Sequence, residues 1–420
     1  MLLPKNGRYY FTPQDTAMVN LLTTLGVKSL RFGGNPVDDP KTPMPDERDI
    51  DHLFNFGHAA GVKIIYSFRL KNGKPAKSAH LAGYIAKHYA DTLDCFAIGN
   101  EPDVYFQTFS EYYVQWKKHY EAILKLVPSA RFDGPSVAYT PSYPLDWVQA
   151  LGSSNEHLAM ASDHYYFFGS GREGEKNPSL NRARFLSNRV HNTYRGAYNN
   201  VGAVLAAKGV PYRIDELNSC SDGGARGSSD TYVSALWVLD CIHWWASHSI
   251  LGVNFHTGEY DGSDPTVPKV LSYSAFARLP EGQGFEIRPQ AYGCLAFSQG
   301  AHGQPLSVKS ETSWKFDFNA YAYRNSDKSI YLTLINKFWG KAAKISLKLP
   351  EDVRTQNWQR MDLTQQANNV AARDGLTFGG APIDAQGIWA GQWKEVTGTD
   401  SQNVTIEVAP LSSSYSAFSG

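Results

Sequence analysis

The 420-residue chain has few cysteines, four in all, and they are scattered along it at Cys95, Cys220, Cys241 and Cys294. No two of them form a Cys-x-x-Cys pair, which argues against a structural zinc site and against a disulfide scaffold. The sequence also lacks any apolar run close to the roughly 18 to 20 residues that a membrane-spanning helix needs. These absences predict a soluble protein without a membrane partner.

An excess of charge of either sign is missing as well. Lys and Arg number 40, Asp and Glu number 40, and the formal net charge at pH 7 is zero. A balanced chain sets up no long-range field for nucleic acid, an acidic polymer or an anionic membrane surface. We therefore expect no nucleic-acid partner, and the oligomeric state stays open.

Sequence motifs for cofactors and for export are also lacking. "RFGGNP" (31–36) contains neither Gly-x-Gly-x-x-Gly nor a Walker sequence, and His243 and His248 do not have the spacing of a His-Glu-x-x-His zinc site. We expect neither a metal nor an organic cofactor. The start "MLLPKNGRYYF" lacks the order of basic, apolar and small residues that a signal peptide has. The sequence therefore does not assign a compartment, and a longer form could be secreted.

What the sequence does contain, up to about residue 300, is short β-branched or aromatic runs that alternate with longer amphipathic patterns. This alternation is typical of βα units that build a parallel sheet. The candidate strands are 27–32, 62–68, 95–99, 130–135, 160–167, 211–216 and 250–255. We predict a (β/α)8 TIM-type barrel over residues 1–300 that lacks its first strand, unless "GRYYF" (7–11) fills the gap.

The pattern changes after residue 300. Runs such as "WKFDFNAYAYRN", "SIYLTLINKF" and "NVTIEVAPLSSSYSAFS" alternate polar and apolar residues between regularly spaced turns. This pattern is typical of antiparallel strands with one buried face. The sequence therefore predicts a C-terminal β-sandwich domain over residues 301–420.

Two glutamates stand at the ends of candidate strands, Glu101 after "CFAIGN" and Glu216 after "PYRID". Active sites of parallel barrels lie at these strand ends. Glycoside hydrolysis needs two carboxylates, one protonated to release the leaving group and one ionised to attack. A structural alternative is that each glutamate caps a following helix. The pairing, with Asn100 directly before Glu101, favours catalysis.

Two further segments carry polar side chains to the same end of the barrel. In "SDHYYF", alternation puts Asp163 and Tyr165 on one face and His164 and Tyr166 on the other, and one of these pairs faces the mouth. "NFHTGEYDG" (254–262) offers further polar and aromatic side chains in a Gly-rich loop of the kind that surrounds ligands. Its candidates are Asn254, His256 and Tyr260.

At this point the motifs can be compared with a known family. "AIGNEP" resembles the acid/base motif of clan A glycoside hydrolases. Together with "LRFGGNPVD", "HYYFFG", "IDELNS" and "NFHTGEY", it is similar to family 79, which contains heparanases and β-glucuronidases. "GLTFGGAPIDAQGIWAG" resembles the C-terminal β-sandwich of that family, so the resemblance covers the whole chain.

The resemblance implies a retaining double displacement on a glycan or glycoconjugate that carries a β-linked uronic acid. Glu101 would be the general acid/base and Glu216 the nucleophile. The resemblance implies a set of substrate-binding residues: Asn100 at the sugar 2-hydroxyl, Asp38 in the glycone subsite, Tyr165 as the first tyrosine of "HYY", Tyr260 at the uronate carboxylate, and the amides of Gly223 and Gly224.

The sequence departs from the family in the loop after Glu216. Ser221 stands where members that bind glucuronate often have tyrosine, and Asp222 would repel a carboxylate if it pointed inward. Two alternatives therefore stay open beside the uronidase. One is a clan A glycosidase for a neutral sugar, and the other is a carbohydrate-binding protein that has lost turnover. Loop lengths at the mouth decide between exo and endo action.

Overall fold

The computed structural model describes residues 9–259, 270–280, 282–311, 317–353, 355–398 and 403–420. A parallel sheet of seven strands, hydrogen-bonded in chain order, forms the larger part of these residues. Its strands are β1 (Ser29–Phe32), β2 (Lys63–Phe68), β3 (Leu93–Ile98), β4 (Phe132–Val137), β5 (Leu158–Tyr166), β6 (Tyr212–Asn218) and β7 (Gly252–Phe255). The seven strands expected from the sequence and the barrel fold are thus confirmed.

Helices precede the first strand and separate the others. They are α1 (Thr16–Thr24), α2 (Glu47–Ala60), α3 (Pro75–His88), α4 (Phe109–Leu126), α5 (Tyr143–Leu151), α6 (Gly171–Lys176), α7 (Pro178–Leu186), α8 (Val190–Ala197), α9 (Ala203–Ala207), α10 (Tyr232–Ala246) and α11 (Pro289–Gly300). A π-helical turn over Tyr198–Gly202 joins α8 to α9, and single 3-10 turns cover Asn35–Val37 and Pro102–Val104.

The helix ends follow from local sequence chemistry, as α2 shows. Asp46 accepts a hydrogen bond from the Asp49 amide at 3.1 Å, and Asp49 accepts one from the Asp46 amide at 2.8 Å. This reciprocal box satisfies amides that the first turn leaves without partners. The helix ends at Gly61, whose φ of 66° suits glycine and stops the chain from continuing as a helix.

The two edge strands of the parallel sheet, β1 and β7, face each other. The Asn254 side-chain nitrogen lies 3.3 Å from both the Ser29 carbonyl oxygen and the Ser29 hydroxyl. Residues 9–11, the described part of the alternative first strand at 7–11, form no strand. Instead Tyr10 and Phe11 pack against the core. The sheet therefore curves into a nearly closed barrel of seven strands.

The C-terminal part is antiparallel, and a β-sandwich is confirmed. A hairpin of β8 (Phe276–Arg278) and β9 (Phe285–Ile287) precedes it, and its strands are β10 (Gln304–Leu306), β11 (Phe318–Arg324), β12 (Ile330–Asn336), β13 (Ala343–Lys348), β14 (Asn357–Gln365), β15 (Leu376–Phe378), β16 (Lys394–Thr397), β17 (Asn403–Val408) and β18 (Ser412–Phe418). One sheet has the order β10-β11-β12-β18-β14-β15, with β16 beside β14, and β13 pairs with β17 in the other. The domain division at residue 300 stays a prediction.

The two parts share a core along α10, which is buried over almost its whole length. Leu363, Phe378 and Tyr415 of the sandwich belong to the same apolar cluster as the barrel helices. The Tyr232 hydroxyl donates a hydrogen bond of 2.7 Å to the Leu411 carbonyl oxygen across this contact. The four cysteines are free thiols. Within the described ranges, no helix is long and apolar enough to cross a membrane.

Candidate active site

A β-bulge in β6 brings two consecutive acids to the barrel interior. Simple alternation would put Asp215 and Glu216 on opposite faces. In the pairing of β5 with β6, Asp163 lies opposite Ile214 and His164 lies opposite Glu216, so Asp215 is an extra residue on β6. Such an insertion re-aims a side chain. As a result Arg31 contacts both acids, with Nε 2.8 Å from Asp215 Oδ2 and Nη1 3.0 Å from Glu216 Oε2.

Glu101 lies directly after β3 in a left-handed conformation with φ of 47°, which is uncommon for a residue other than glycine. Its amide donates to the Ser136 carbonyl oxygen at 2.9 Å. Its side chain, 19% exposed, lies 2.9 Å from His164 Nδ1. It makes no capping hydrogen bond to the following 3-10 turn. The helix-cap alternative is therefore wrong for Glu101, and also for Glu216, which lies inside β6.

The two glutamates lie close together at the mouth. One carboxylate oxygen of Glu101, one of Glu216 and a ring nitrogen of His164 all lie within 4.8 Å of one another. The structure thus brings together the two residues that the sequence predicts as the catalytic pair, and it places His164 beside them.

The surroundings of Glu216 favour its ionised form. Its Oε1 accepts a hydrogen bond of 2.7 Å from the Tyr166 hydroxyl, and its Oε2 accepts the bond from Arg31. Burial raises the pKa of Glu216, but the neighbouring side chains of His256, His164 and Arg31, with a hydrogen bond from His256, hold that pKa well below its usual range. An ionised carboxylate held by donors on both oxygens is suited to act as a nucleophile.

His164 lies between acids on both sides of its ring. Nδ1 faces Glu101 at 2.9 Å, and Nε2 faces Asp215 Oδ1 at 3.5 Å. Burial lowers the pKa of His164, but the negative charges of Glu216 and Asp215 and the hydrogen bonds to Asp215 and Glu101 outweigh burial and raise it to about 10. Each ring nitrogen of His164 thus faces a carboxylate oxygen, an arrangement that favours the imidazolium form.

His256, at the end of β7, extends the site beyond Glu216. Its Nδ1 lies 2.9 Å from the Tyr166 hydroxyl, 2.9 Å from the Tyr273 hydroxyl and 3.4 Å from Glu216 Oε1. The side chain is 28% exposed, so a substrate can approach it. Of the three residues in the predicted ligand loop, His256 reaches the carboxylates, Asn254 closes the barrel, and Tyr260 lies outside the described residues.

Asn100 and Asp38 line a cleft of about 270 Å³ together with Glu101. The Asn100 side-chain oxygen accepts from Arg31 Nη2 at 2.9 Å, and its nitrogen donates to Asn35 at 3.0 Å. Asp38 Oδ1 accepts from the amides of Leu70 and Lys71, and Oδ2 accepts from the Asn100 amide and the Tyr105 hydroxyl. A carboxylate has about four lone-pair sites. Asp38 therefore holds the wall of the cleft, and its geometry does not support the expected sugar contact.

Tyr165 lies on the face of β5 opposite to the carboxylate pair. Its ring stacks on Phe167, with ring centroids 5.6 Å apart and an interplanar angle of 2°. His164 and Tyr166 are the residues of "HYY" that reach Glu101 and Glu216. The expectation for Tyr165 is corrected accordingly: the tyrosine at the mouth is Tyr166.

Gly223 and Gly224 form a turn after β6 with φ of 86° and 87°, which glycine adopts without strain. A Cβ atom on Gly223 would lie 3.0 Å from Leu271, and one on Gly224 would lie 2.9 Å from Tyr273. Tyr273 in turn contacts His256, so the turn supports the site from behind this residue. Asp222 is exposed and accepts a hydrogen bond of 2.6 Å from Ser170.

Sequence reasoning missed Arg31 and Asp215. Arg31 lies in the strand "SLRF" and Asp215 in "YRIDELN", and the side chains are 5% and 0% exposed. A charged side chain in a strand needs a partner if it is buried, and this requirement was the available signal. A second cleft of about 450 Å³, lined by Phe285, Arg373 and Thr377, contains neither glutamate, so we place the candidate site at the smaller cleft.

Known proteins resemble this chain in sequence and in fold. No family model matches the chain. A curated β-glucuronidase of Aspergillus niger is 26% identical, over 57% of this chain and 52% of the relative. The chain thus spans about half the length of that relative.

Among solved structures, a 4-O-α-L-rhamnosyl-β-D-glucuronidase from Fusarium oxysporum 12S superposes with a TM-score of 0.69 at 16% identity, over 97% of this chain and 92% of the other. An α-L-arabinofuranosidase from Thermotoga maritima gives a TM-score of 0.66 at 15% identity, over 96% and 89%. At these identities the superpositions establish the fold. The chain shares it with glycosidases of different sugar specificity.

Proposed function

We propose that the chain is a retaining glycoside hydrolase with Glu216 as the nucleophile and Glu101 as the general acid/base. The observation that carries this proposal is the approach of the two carboxylates to within 4.8 Å. Retaining enzymes hold their two carboxyl groups about 5 to 5.5 Å apart, and inverting enzymes hold them about 6.5 to 9.5 Å apart to admit a water. The short separation supports retention.

In the first step, Glu216 attacks the anomeric carbon while Glu101 gives its proton to the leaving oxygen. In the second step, Glu101 takes a proton from water, which attacks the glycosyl ester on Glu216. Arg31 and Tyr166 fix one oxygen of Glu216 each, so the nucleophile is oriented before substrate arrives. The positive charge of His164 stabilises the negative charge that Glu101 acquires.

As the substrate we propose a β-linked uronic acid on a glycan or glycoconjugate. The β-glucuronidase relative and the fold shared with the rhamnosyl-glucuronidase support this choice. Asn100 keeps one amide hydrogen beyond its bond to Asn35, and we assign this hydrogen to the sugar 2-hydroxyl. Contacts of the uronate carboxylate with Tyr260 and the Gly223–Gly224 amides stay predictions of the family resemblance. Membership of family 79 is part of this proposal.

A neutral-sugar glycosidase is the second candidate. Ser221 in place of tyrosine and the fold shared with an arabinofuranosidase favour it. Both candidates use the same pair of glutamates and differ only in what the glycone subsite accepts.

Two assays test these proposals. The first compares nitrophenyl glycosides, namely the β-glucuronide, β-xyloside, β-galactoside and α-L-arabinofuranoside. We expect the β-glucuronide to be the best substrate, and preference for a neutral sugar would replace the uronidase with the second candidate. The second assay follows the first-formed product by proton NMR. Retention of the anomeric configuration is expected, and inversion would refute the double displacement. Binding without turnover of any glycoside would identify a carbohydrate-binding protein.

A further inference from the structure

Asp215 has a place in the site that the reaction steps do not use. Its side chain is fully buried and does not line the cleft described above. Oδ2 lies 2.8 Å from Arg31 Nε and accepts a hydrogen bond of 2.6 Å from the Ser136 hydroxyl. Oδ1 lies 3.5 Å from His164 Nε2. Asp215 thus contacts both cations that serve the catalytic pair.

These contacts form one chain of charged groups between the two carboxylates. Arg31 lies 3.0 Å from Glu216 and 2.8 Å from Asp215. His164 lies 3.5 Å from Asp215 and 2.9 Å from Glu101. We propose that Asp215 is a positioning residue that holds Arg31 and His164 in orientation and His164 in its charged form, and so couples the two catalytic glutamates. The catalytic part of this inference rests on the proposed function, whereas the charge-holding part does not.

The balance of charge explains why a third acid is needed. In the proposed mechanism Glu101 enters the first step with the proton that it donates, and the cations Arg31 and His164 then face the anions Asp215 and Glu216. In the glycosyl intermediate, Glu216 is a neutral ester and Glu101 is the anion, so two cations again face two anions. The negative charge thus moves from one glutamate to the other, while the five charged groups together stay neutral. Without Asp215 the remaining four groups would carry an uncompensated positive charge in both states, which is costly at low dielectric.

Other ionisable groups act on Asp215 from neighbouring strands. Asp133 on β4 has a pKa raised to about 8 by burial and by the charge of Asp215, so it is largely neutral at pH 7. Asp163 on β5 bonds to the Tyr212 hydroxyl on the other face, and burial raises its pKa to about 7. Arg213 on β6 bonds to Asn254 at 3.0 Å. Asp215 itself contacts Arg31, Ser136 and His164.

The direct test replaces Asp215 by Asn and follows the protonation of His164 by NMR of 15N-labelled histidine, with the signal assigned through a His164→Gln variant. In the wild type we expect an imidazolium throughout pH 5 to 9. In Asp215→Asn the ring should titrate at least about two units lower, because a negative neighbour is lost. An unchanged titration would overturn the inference. This readout needs no enzymatic activity, so it decides about Asp215 even if no glycoside is hydrolysed.

The kinetic test uses the glycoside that the wild type hydrolyses best. In Asp215→Asn we expect kcat to fall by about 10²-fold or more at pH 7, the size expected for loss of a preorganised electrostatic contact. A new loss of activity should appear as the pH rises through the lowered His164 transition, because a neutral ring no longer stabilises the anion on Glu101. If kcat instead falls by the same factor at every pH, without this transition, Asp215 has a merely structural role and the inference is contradicted.

Two further variants guard against misfolding and against a general effect of buried acids. Asp215→Ser removes the same charge from a smaller side chain, and it should lower the His164 pKa and kcat in the same direction as Asp215→Asn. If Asp215→Asn does not fold, an unchanged His164 titration in Asp215→Ser would overturn the inference. Asp240→Asn is the matched control: it removes an equally buried acid on α10 whose contacts are Asn319, Tyr321, His191 and Lys337, and it should leave the pH profile unchanged.

Discussion

Two buried acids in different parts of the fold, Asp215 at the barrel mouth and Asp240 on α10, each contact a buried basic side chain. Asp240 accepts four hydrogen bonds. Two come from Asn319 and Tyr321, at 2.6 and 2.7 Å, and two come from His191 and Lys337, at 2.8 and 3.0 Å. Asp240 and Lys337 are both fully buried. The second cluster joins a barrel helix to β11 and β12 of the sandwich.

The two clusters differ in whether their hydrogen-bonding groups are all paired inside the protein or end at the cleft. Around Asp240, both oxygens already have two donors each, and its pKa is held far below the usual range although burial raises it, chiefly through the charges of Lys337 and His191. Around Asp215, the chain of charges ends on Glu101 and Glu216, which face a cleft. A satisfied buried cluster fixes packing, whereas one that ends on carboxylates at a cleft is arranged for chemistry.

The largest expected effect is that of Glu216→Ala on hydrolysis. Loss of the nucleophile should reduce kcat by at least about 10³-fold, because the covalent intermediate can no longer form. Activity is measured on the best nitrophenyl glycoside. Glu121→Ala, on the exposed surface of α4, is the control and should retain full activity. If Glu216→Ala kept activity within tenfold of the wild type, the site around Glu101 and Glu216 would not be the catalytic site.

Glu101→Ala should show a smaller loss that depends on the leaving group. For an alkyl glycoside or a natural glycan we expect about 10²- to 10⁴-fold lower kcat/KM, since the leaving oxygen must be protonated. A dinitrophenyl glycoside has a leaving group that needs no proton. The rate of its first step should therefore fall far less. An equal loss on both substrates would argue against the acid role of Glu101.

The Asp240 cluster should respond in stability instead of turnover. Asp240→Ala leaves the Lys337 ammonium buried without its partner, and we expect the free energy of unfolding to fall by about 3 to 5 kcal/mol in urea denaturation. The double variant Asp240→Leu with Lys337→Met removes both charges and should recover most of this loss. The kcat of the folded fraction should not change. A drop in kcat comparable to that of Asp215→Asn would erase the contrast between the clusters.

The smallest effect concerns the pH dependence of stability, in which the two regions should behave alike. Glu216 and Asp240 both have folded-state pKa values below their usual range. Each therefore contributes stability above its unfolded pKa, roughly 4, and this contribution is lost as the pH falls through the lower folded pKa. Urea midpoints from pH 5 down to pH 3 should decrease less steeply in Glu216→Gln than in the wild type. A steeper decrease in that variant would contradict the direction assigned to Glu216.

Much of the fold was predictable because βα alternation marks each strand between helical patterns. The proposed catalytic pair could be predicted because Glu101 and Glu216 stand at the ends of candidate strands. The choice between Tyr165 and Tyr166 was not predictable, since alternation defines two faces without saying which one faces inward. The bulge that turns both Asp215 and Glu216 inward depends on strand register, which one sequence does not display.

The role of Asp38 shows another limit of sequence reasoning. Its motif context implied a sugar contact, but the folded chain brings two amides of the loop after β2, the Asn100 amide and the Tyr105 hydroxyl to its carboxylate. These donors come from segments that are distant along the chain. Only their arrangement in space shows that the lone pairs of Asp38 are already used.

The most direct test of the catalytic pair is covalent trapping of the glycosyl intermediate. The protein is incubated with a 2-deoxy-2-fluoro glycoside of the preferred sugar that carries an activated leaving group, and the digested product is analysed by mass spectrometry. We predict one sugar per chain, attached to Glu216 in the peptide "IDELNS". Attachment to another residue, or turnover with inversion and no adduct, would contradict the account.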